Sequence, residues 1–131
     1  MSSEEYMSLY VILGREAGIR RLVNRFYDVM DTEEIAKGIR AMHPDSLEMS
    51  REKTALFLIG WSGGPNVYVE RYGHPRLRAR HLPFPIDTAA KEAWMYCMRT
   101  ALREMISDRY ICQQIEENFD RIADHMRNHS D

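Results

Sequence analysis

His81 stands in a short segment where Arg76, Arg78 and Arg80 recur at every second position and Pro75, Pro83 and Pro85 bracket it. A neutral imidazole there could bind a metal through one ring nitrogen, and the neighbouring guanidinium groups could pair with anionic groups of a cofactor. Taken alone, the segment reads better as a surface histidine in a basic turn. Tyr27 and Trp94 each fall on the apolar face of a long helical pattern, where aromatics usually form core and their polar atoms find backbone partners. His43 precedes Pro44 and His74 precedes Pro75, a setting that, taken singly, more often marks turn residues than ligands. His125 and His129 have the spacing of a helix-borne metal pair, but an imidazole near a helix C-terminus also complements the helix dipole. Cys97 and Cys112 lack the C-x-x-C spacing of a zinc knuckle or a redox pair, so two buried thiols are expected. No phosphate loop, nucleophile elbow or H-E-x-x-H occurs, which removes the commonest enzyme signatures.

The elements that must position these residues are helical. Ile19, Leu22, Val23, Phe26, Tyr27 and Met30 recur at steps of three and one, which predicts a helix over Glu16–Met30. A shorter helix is expected before it, from about Glu4 to Leu13, stopped by Gly14. Asp31 and Glu34 resemble a capping box for a brief helix over Thr32–Met42. Ser46 or Ser50 would cap the next segment, whose run Ala55-Leu56-Phe57-Leu58-Ile59 is apolar nearly all round and must be buried. Asn66–Tyr72 reads as irregular or one helical turn, and Pro75 as the first position of a helix carrying Arg76–Leu82. Trp94, Cys97, Met98, Ala101, Leu102 and Met105 repeat at three and four behind an Asp87 or Thr88 cap, the strongest amphipathic pattern in the chain. Ser107 would cap a last helix presenting Ile111, Ile115, Phe119, Ile122 and Met126. No strand-like partner exists for Asn66–Tyr72, so the class is all-α.

Composition narrows the partners. The 131 residues suit one domain, 1–131, with residues 1–14 a short helix or extension and 107–131 a C-terminal helix and tail. Eighteen Lys and Arg against 20 Asp and Glu give a formal charge of -2, which argues against nucleic acid as the main partner. The 44% hydrophobic content excludes general disorder. The longest uncharged stretch, Thr54–Val69, is broken by Gly63, Gly64 and Pro65, so membrane insertion is not expected. Met1–Glu5 is acidic and polar where a secretory signal is basic and then apolar, and a cytoplasmic location is the expectation.

Several signals stand in one order: Arg25-Phe26-Tyr27, His43-Pro44, Gly63-Gly64-Pro65, the stretch Gly73-His74-Pro75 through Leu77, Arg78, Arg80, His81, Pro83 and Phe84, then Trp94 with Cys97-Met98. From Gly14 to about Ile106 this pattern resembles a group II truncated haemoglobin. The resemblance implies a two-over-two helical sandwich around one non-covalent haem b, iron protoporphyrin IX, with His81 as the axial iron ligand. The absence of C-x-x-C-H agrees with a haem held without thioether bonds. The resemblance further places Tyr27, His43 and Trp94 on the distal, ligand-binding side, all three as hydrogen-bond donors to a bound gas. Donors aimed there stabilise charge that moves onto the ligand, so slow oxygen release and resistance to autoxidation are expected. Phe57, Leu58, Leu77, Phe84 and Met98 are candidate apolar haem contacts, and Arg80 with Tyr68 or Tyr72 candidate partners of the propionates. Thr54 departs from the larger apolar residue usual at its place and adds a hydroxyl; Ser50 is small where longer globins carry a His.

The function so implied is binding of O2, CO and NO, with redox chemistry on the bound ligand, either NO detoxification or peroxidase-like turnover of peroxide, or else O2 binding and transport. Turnover would need an unidentified external electron donor. The alternative reading is a cofactor-free helical interaction module in which the aromatics are core. It gives no reason for three arginines, three prolines and His81 between two core helices. A metal enzyme using His74 and His81 lacks nearby Asp, Glu or Cys, with Glu70 upstream and Asp87 beyond two prolines.

Overall fold

The computed structural model describes residues 8–130, and among them every regular element is helical. In chain order these are α1 (Leu9–Ile12), α2 (Arg15–Thr32), a 3-10 turn (Glu34–Ala36), α3 (Lys37–Arg40), α4 (Glu48–Trp61), α5 (Val67–Tyr72), α6 (Leu77–His81), α7 (Thr88–Met105) and α8 (Arg109–His125). The all-α class read from sequence holds. The chain divides into two compact units: one takes the chain up to Asn24 with Ser46–Pro75, the other Arg25–Asp45 with the chain from Arg76 onward.

In the first unit two glycines allow backbones to meet. A Cβ at Gly18 would lie 1.9 Å from the Leu13 carbonyl oxygen, so only glycine lets α2 start this close to the end of α1. A Cβ at Gly64 would lie 2.6 Å from the Tyr10 ring, and the Tyr10 amide donates to Ser62 O at 2.8 Å. The apolar run of α4 buries Ala55, Leu56, Leu58 and Ile59 as its composition requires. Arg20 joins α2 to α4 by donating to Glu52 at 2.7 Å, and it also reaches Glu16 at 2.9 Å on its own helix.

The second unit is built on α7 and α8, which pack against each other. From α7 it buries Ala93, Met95, Cys97, Met98, Ala101 and Leu102, and from α8 Cys112, Ile115, Phe119 and Ala123. Each large side chain so covered contributes about 1.5–3 kcal/mol of hydrophobic stabilisation. A two-pronged ion pair from Arg103 to Glu116, both contacts at 3.0 Å, joins the two helices beside that core. Arg25 joins α2 to α7 in the same manner through Glu104, at 2.7 and 3.0 Å.

Local signals near the ends of elements misled where two candidates competed. The part of the first predicted helix before Ser8 lies outside the described residues; from Ser8 onward the helix is Leu9–Ile12, with the Ser8 hydroxyl accepting from Val11 N. Asp31 caps nothing: α2 runs through it to Thr32, and its carboxylate receives Arg40 Nε at 2.8 Å. The residue flanking α4 is Leu47 rather than a serine, but the Ser46 hydroxyl accepts from Glu48 N at 3.3 Å, and Ser50 lies inside the helix. Asn66–Tyr72 contains a six-residue helix rather than a single turn. Asp108, not Ser107, caps α8 by accepting from Ile111 N, because the adjacent carboxylate reaches the third amide. Ile111 on the predicted inner face of α8 is exposed. Asp87 caps α7 as expected, accepting from Ala90 N at 2.8 Å.

Candidate functional site

Two clusters in the second unit hold the principal candidates. The first is a run of rings. Phe26, on α2, is the hub: its ring meets Tyr27 edge-on at 4.9 Å and Trp94 at 5.1 Å between centroids. Tyr27 meets His43 at 5.9 Å, and Trp94 meets Phe119 at 6.1 Å. Adjacent positions on α2 thus send one ring toward His43 and one toward Trp94. Phe26 is 1% exposed and Tyr27 5%, whereas Trp94 and His43 are half-buried. Tyr27, Trp94 and His43, which lie far apart in the sequence, are brought into one aromatic chain through Phe26. In the sequence Phe26 belongs to the helix face and to the Arg25-Phe26-Tyr27 signal, neither of which says which rings it will join.

The His43 ring is held by its own turn. Its Nδ1 lies 2.8 Å from Ile39 O, and a carbonyl oxygen only accepts, so Nδ1 carries the hydrogen. In the neutral imidazole Nε2 is then an acceptor, and a donor role for His43 alongside Tyr27 and Trp94 requires the protonated ring, which carries N–H on both nitrogens.

The second cluster surrounds α6. The imidazole of His81 follows the same logic, with Nδ1 2.6 Å from Leu77 O, one turn back on the helix. This bond fixes the tautomer and leaves the Nε2 lone pair for a metal or a proton. Pro75 does not open α6 as expected. The flanking residue is Arg76, whose backbone is left-handed at φ 48 and ψ 51, and the helix begins at Leu77. Arg78 donates through one nitrogen to two carbonyl oxygens at the end of α8 and just beyond, His125 O at 2.6 Å and Arg127 O at 3.0 Å. The Asn128 amide donates to His81 O at 3.0 Å while its own oxygen accepts from Ile86 N at 3.0 Å. No sequence signal marks Asn128, which lies 47 residues from His81.

The remaining candidates are placed as follows. Leu77 is half-buried, Arg80 and Phe84 are exposed, and Met98 is fully covered on α7. In the first unit Leu58 is buried, and Tyr68 is buried beside two rings, Phe57 at 6.2 Å and Tyr72 at 5.0 Å. Thr54 is half-buried on α4. His125 closes α8 and is exposed, as is His129. Among the described residues no three His, Cys, Asp or Glu side chains cluster as a metal site, so a metal bound through His81 must bring most of its own ligands. No described helix is long and apolar enough to cross a membrane.

A family model described as bacterial-like globin matches residues 8–128. A group 2 truncated hemoglobin of Bacillus subtilis (strain 168) is 33% identical over 128 residues, which are 98% of this chain and 94% of that protein. Among solved structures, the group II 2-on-2 hemoglobin of the plant pathogen Agrobacterium tumefaciens superposes with a TM-score of 0.90 at 41% identity, over 99% of this chain and all of that one. The cold-adapted truncated hemoglobin of Pseudoalteromonas haloplanktis TAC125 superposes at 0.89 with 43% identity, over 92% of this chain and 98% of that one.

Proposed function

Because the chain belongs to the bacterial-like globin family, among the group II truncated haemoglobins, we propose that it is a gas-binding haem protein that holds one haem b through His81. The observation that carries this reading is the 2.6 Å bond from His81 Nδ1 to Leu77 O, which leaves Nε2 bare and aims a single neutral donor. A porphyrin supplies four nitrogens of its own, so one imidazole suffices where a bare metal ion would need more side chains. When bound, haem supplies an iron with a coordination position open to a diatomic gas.

The protein's part is to orient, to shield and to donate. His81 Nδ1–H keeps the imidazole in one tautomer and makes Nε2 the more basic nitrogen. Trp94 Nε1–H only donates and Tyr27 Oη donates or accepts, so these two are the donors toward a bound O2, CO or NO. His43 Nε2 accepts, which suits it to orient a neighbouring hydroxyl or to take up a proton rather than to bind the gas directly. Leu77, Phe84 and Met98 are the apolar contacts and Arg80 the propionate partner in the same unit as His81. For Phe57, Leu58 and Tyr68 the haem-contact role rests on the resemblance alone. The family match across residues 8–128 supports one globin domain for the chain.

A donor-rich distal side slows ligand release, which favours redox chemistry on the ligand, such as NO detoxification or peroxide reduction, over oxygen transport. In either reaction an external donor supplies the electrons, and His43 or Tyr27 is the group placed to move a proton. The test is a visible spectrum of the purified chain as isolated, after dithionite and after carbon monoxide. A Soret band that shifts at each step, and is lost or altered in His81→Ala, supports the reading. A chain that shows no such band even after added hemin is instead a cofactor-free helical module.

A further inference from the structure

The helix that carries His81 has little to hold it in place. It is five residues long, buries none of them and has no side-chain cap at its start. Isolated helices far below about 12 residues do not persist in water on their own hydrogen bonds. Its N-terminal flank, Arg76, is a non-glycine residue in the left-handed region, a conformation that persists only where the surroundings enforce it. Apolar contacts with the protein's own side chains therefore do little to fix the imidazole's position.

Polar ties to the C-terminal end of α8 and the tail behind it do more. Arg78, one residue after the start of α6, donates to the carbonyls of His125 and Arg127. At the other end, Asn128 donates to the carbonyl of His81 itself. Asn128 is in turn held to the loop after α6: Ile86 N donates to its side-chain oxygen, and its own amide donates to Ile86 O at 2.9 Å. The His129 amide joins that same carbonyl at 3.1 Å. Both ends of a helix with no buried residue are thus fastened to one short stretch, residues 125–129.

We infer that Arg78 and Asn128 are positioning residues for the His81 imidazole, fastening α6 to residues 125–129 and so setting the direction of Nε2. The inference rests on His81 being the haem ligand. The angle and distance at which Nε2 meets the iron are then fixed by hydrogen bonds to three backbone carbonyls, and the C-terminal tail is part of the proximal site. Partners that orient a metal-binding histidine from one step away commonly change metal affinity by a factor of ten or more when removed.

The test uses the full chain reconstituted with hemin, in four variants. Asn128→Asp keeps the shape and the acceptor for Ile86 but removes the donor to His81 O. Arg78→Met keeps length and removes the donors. Arg127→Ala is the tail control, because the hydrogen bonds of the Arg127 side chain run to Asp124 and Thr88 rather than to α6. His81→Ala tests the ligand. Three quantities are read: the rate of haem loss to an excess of apomyoglobin, the iron–histidine stretching band of the reduced protein, and the unfolding midpoint of the haem-free chain. The expected result is haem loss about tenfold faster and a displaced stretching band in Asn128→Asp and Arg78→Met, with neither change in Arg127→Ala. Equal changes in Arg127→Ala would make the effect a general loosening of the tail and overturn the inference. Native haem loss and an unmoved band in both Asn128→Asp and Arg78→Met would overturn it while leaving His81 as ligand. A native haem spectrum in His81→Ala would overturn the ligand assignment, and the positioning role with it.

Discussion

The ring cluster and α6 belong to the same unit and are secured by opposite means. Phe26, Tyr27 and Trp94 ride on helices of 18 residues whose inner faces are core, and the rings are held by one another. His81 rides on five residues, none buried, and is held by hydrogen bonds to carbonyls. Packing contributes much stability but tolerates sliding among shapes of similar volume, whereas a hydrogen bond contributes little net stability and is directional. Under the proposed function, the side that surrounds a small mobile ligand is packed, and the side that presents one nitrogen at one angle is tied.

The largest effect expected is from Phe26→Ala, which removes the hub of the packed side. Loss of about 3–5 kcal/mol is expected for a fully buried ring, read as the denaturant midpoint of the haem-free chain. A loss below about 1 kcal/mol would mean that the cluster is not held by packing. Next is Trp94→Phe, which keeps a ring and removes the indole donor. Oxygen should dissociate about tenfold faster, as for loss of a hydrogen bond worth roughly 1.4 kcal/mol to a charge-bearing ligand, while stability moves little; an unchanged rate in stopped-flow exchange removes Trp94 from the distal role.

A third measurement asks whether charge assists the packing of α7 on α8. Burial alone would raise the Glu116 carboxyl, but hydrogen bonds from Arg103 and Cys112 and the nearby Arg99 hold it below its ordinary value of 4.5. A carboxyl depressed in the folded state stabilises above its unfolded pKa, and that contribution is lost as pH falls through the folded value. Urea midpoints should therefore decline more steeply below about pH 4.5 in the native chain than in Glu116→Gln, and parallel curves would remove the pair from the stability of the unit. The smallest expected effect is that of Arg78→Met on the stability of the haem-free chain, at or below about 1 kcal/mol, because α6 covers no core. A loss as large as that of Phe26→Ala would erase the contrast between the two sides.

What sequence could show of all this follows the same division. The inner face of α2 was legible because Ile19, Leu22, Val23, Phe26, Tyr27 and Met30 obey one helical period, and all six are buried. Cys97, Met98, Ala101 and Leu102 of α7 were legible for the same reason, and with them the class of the fold, whereas the buried Ala93 and Met95 fall outside the face read from the sequence. Caps were less so: Asp31, Ser107 and Pro75 each satisfy a local rule, but a competing neighbour or a longer helix won. His81 stood out by its prolines and arginines, and the resemblance gave it a role. The ties from Asn128 and Arg78 were invisible, because an asparagine in a tail carries no periodicity and its partner lies 47 residues away. The tautomer of His43 was equally hidden, since it depends on a turn that brings Ile39 O to Nδ1.

The two sulfur atoms buried in the second unit have a consequence for durability. Cys97 and Cys112 are 0% and 4% exposed, and burial, joined at Cys112 by the adjacent Glu116, pushes each thiol up to about 11. At pH 7 almost none of either thiol is ionised, and the ionised form is the one that attacks peroxide. Neither cysteine should therefore yield sulfenic acid when the folded chain meets peroxide, and dimedone should label both only after unfolding. Burial in the folded chain thus protects both thiols from oxidation without tying them into a disulfide.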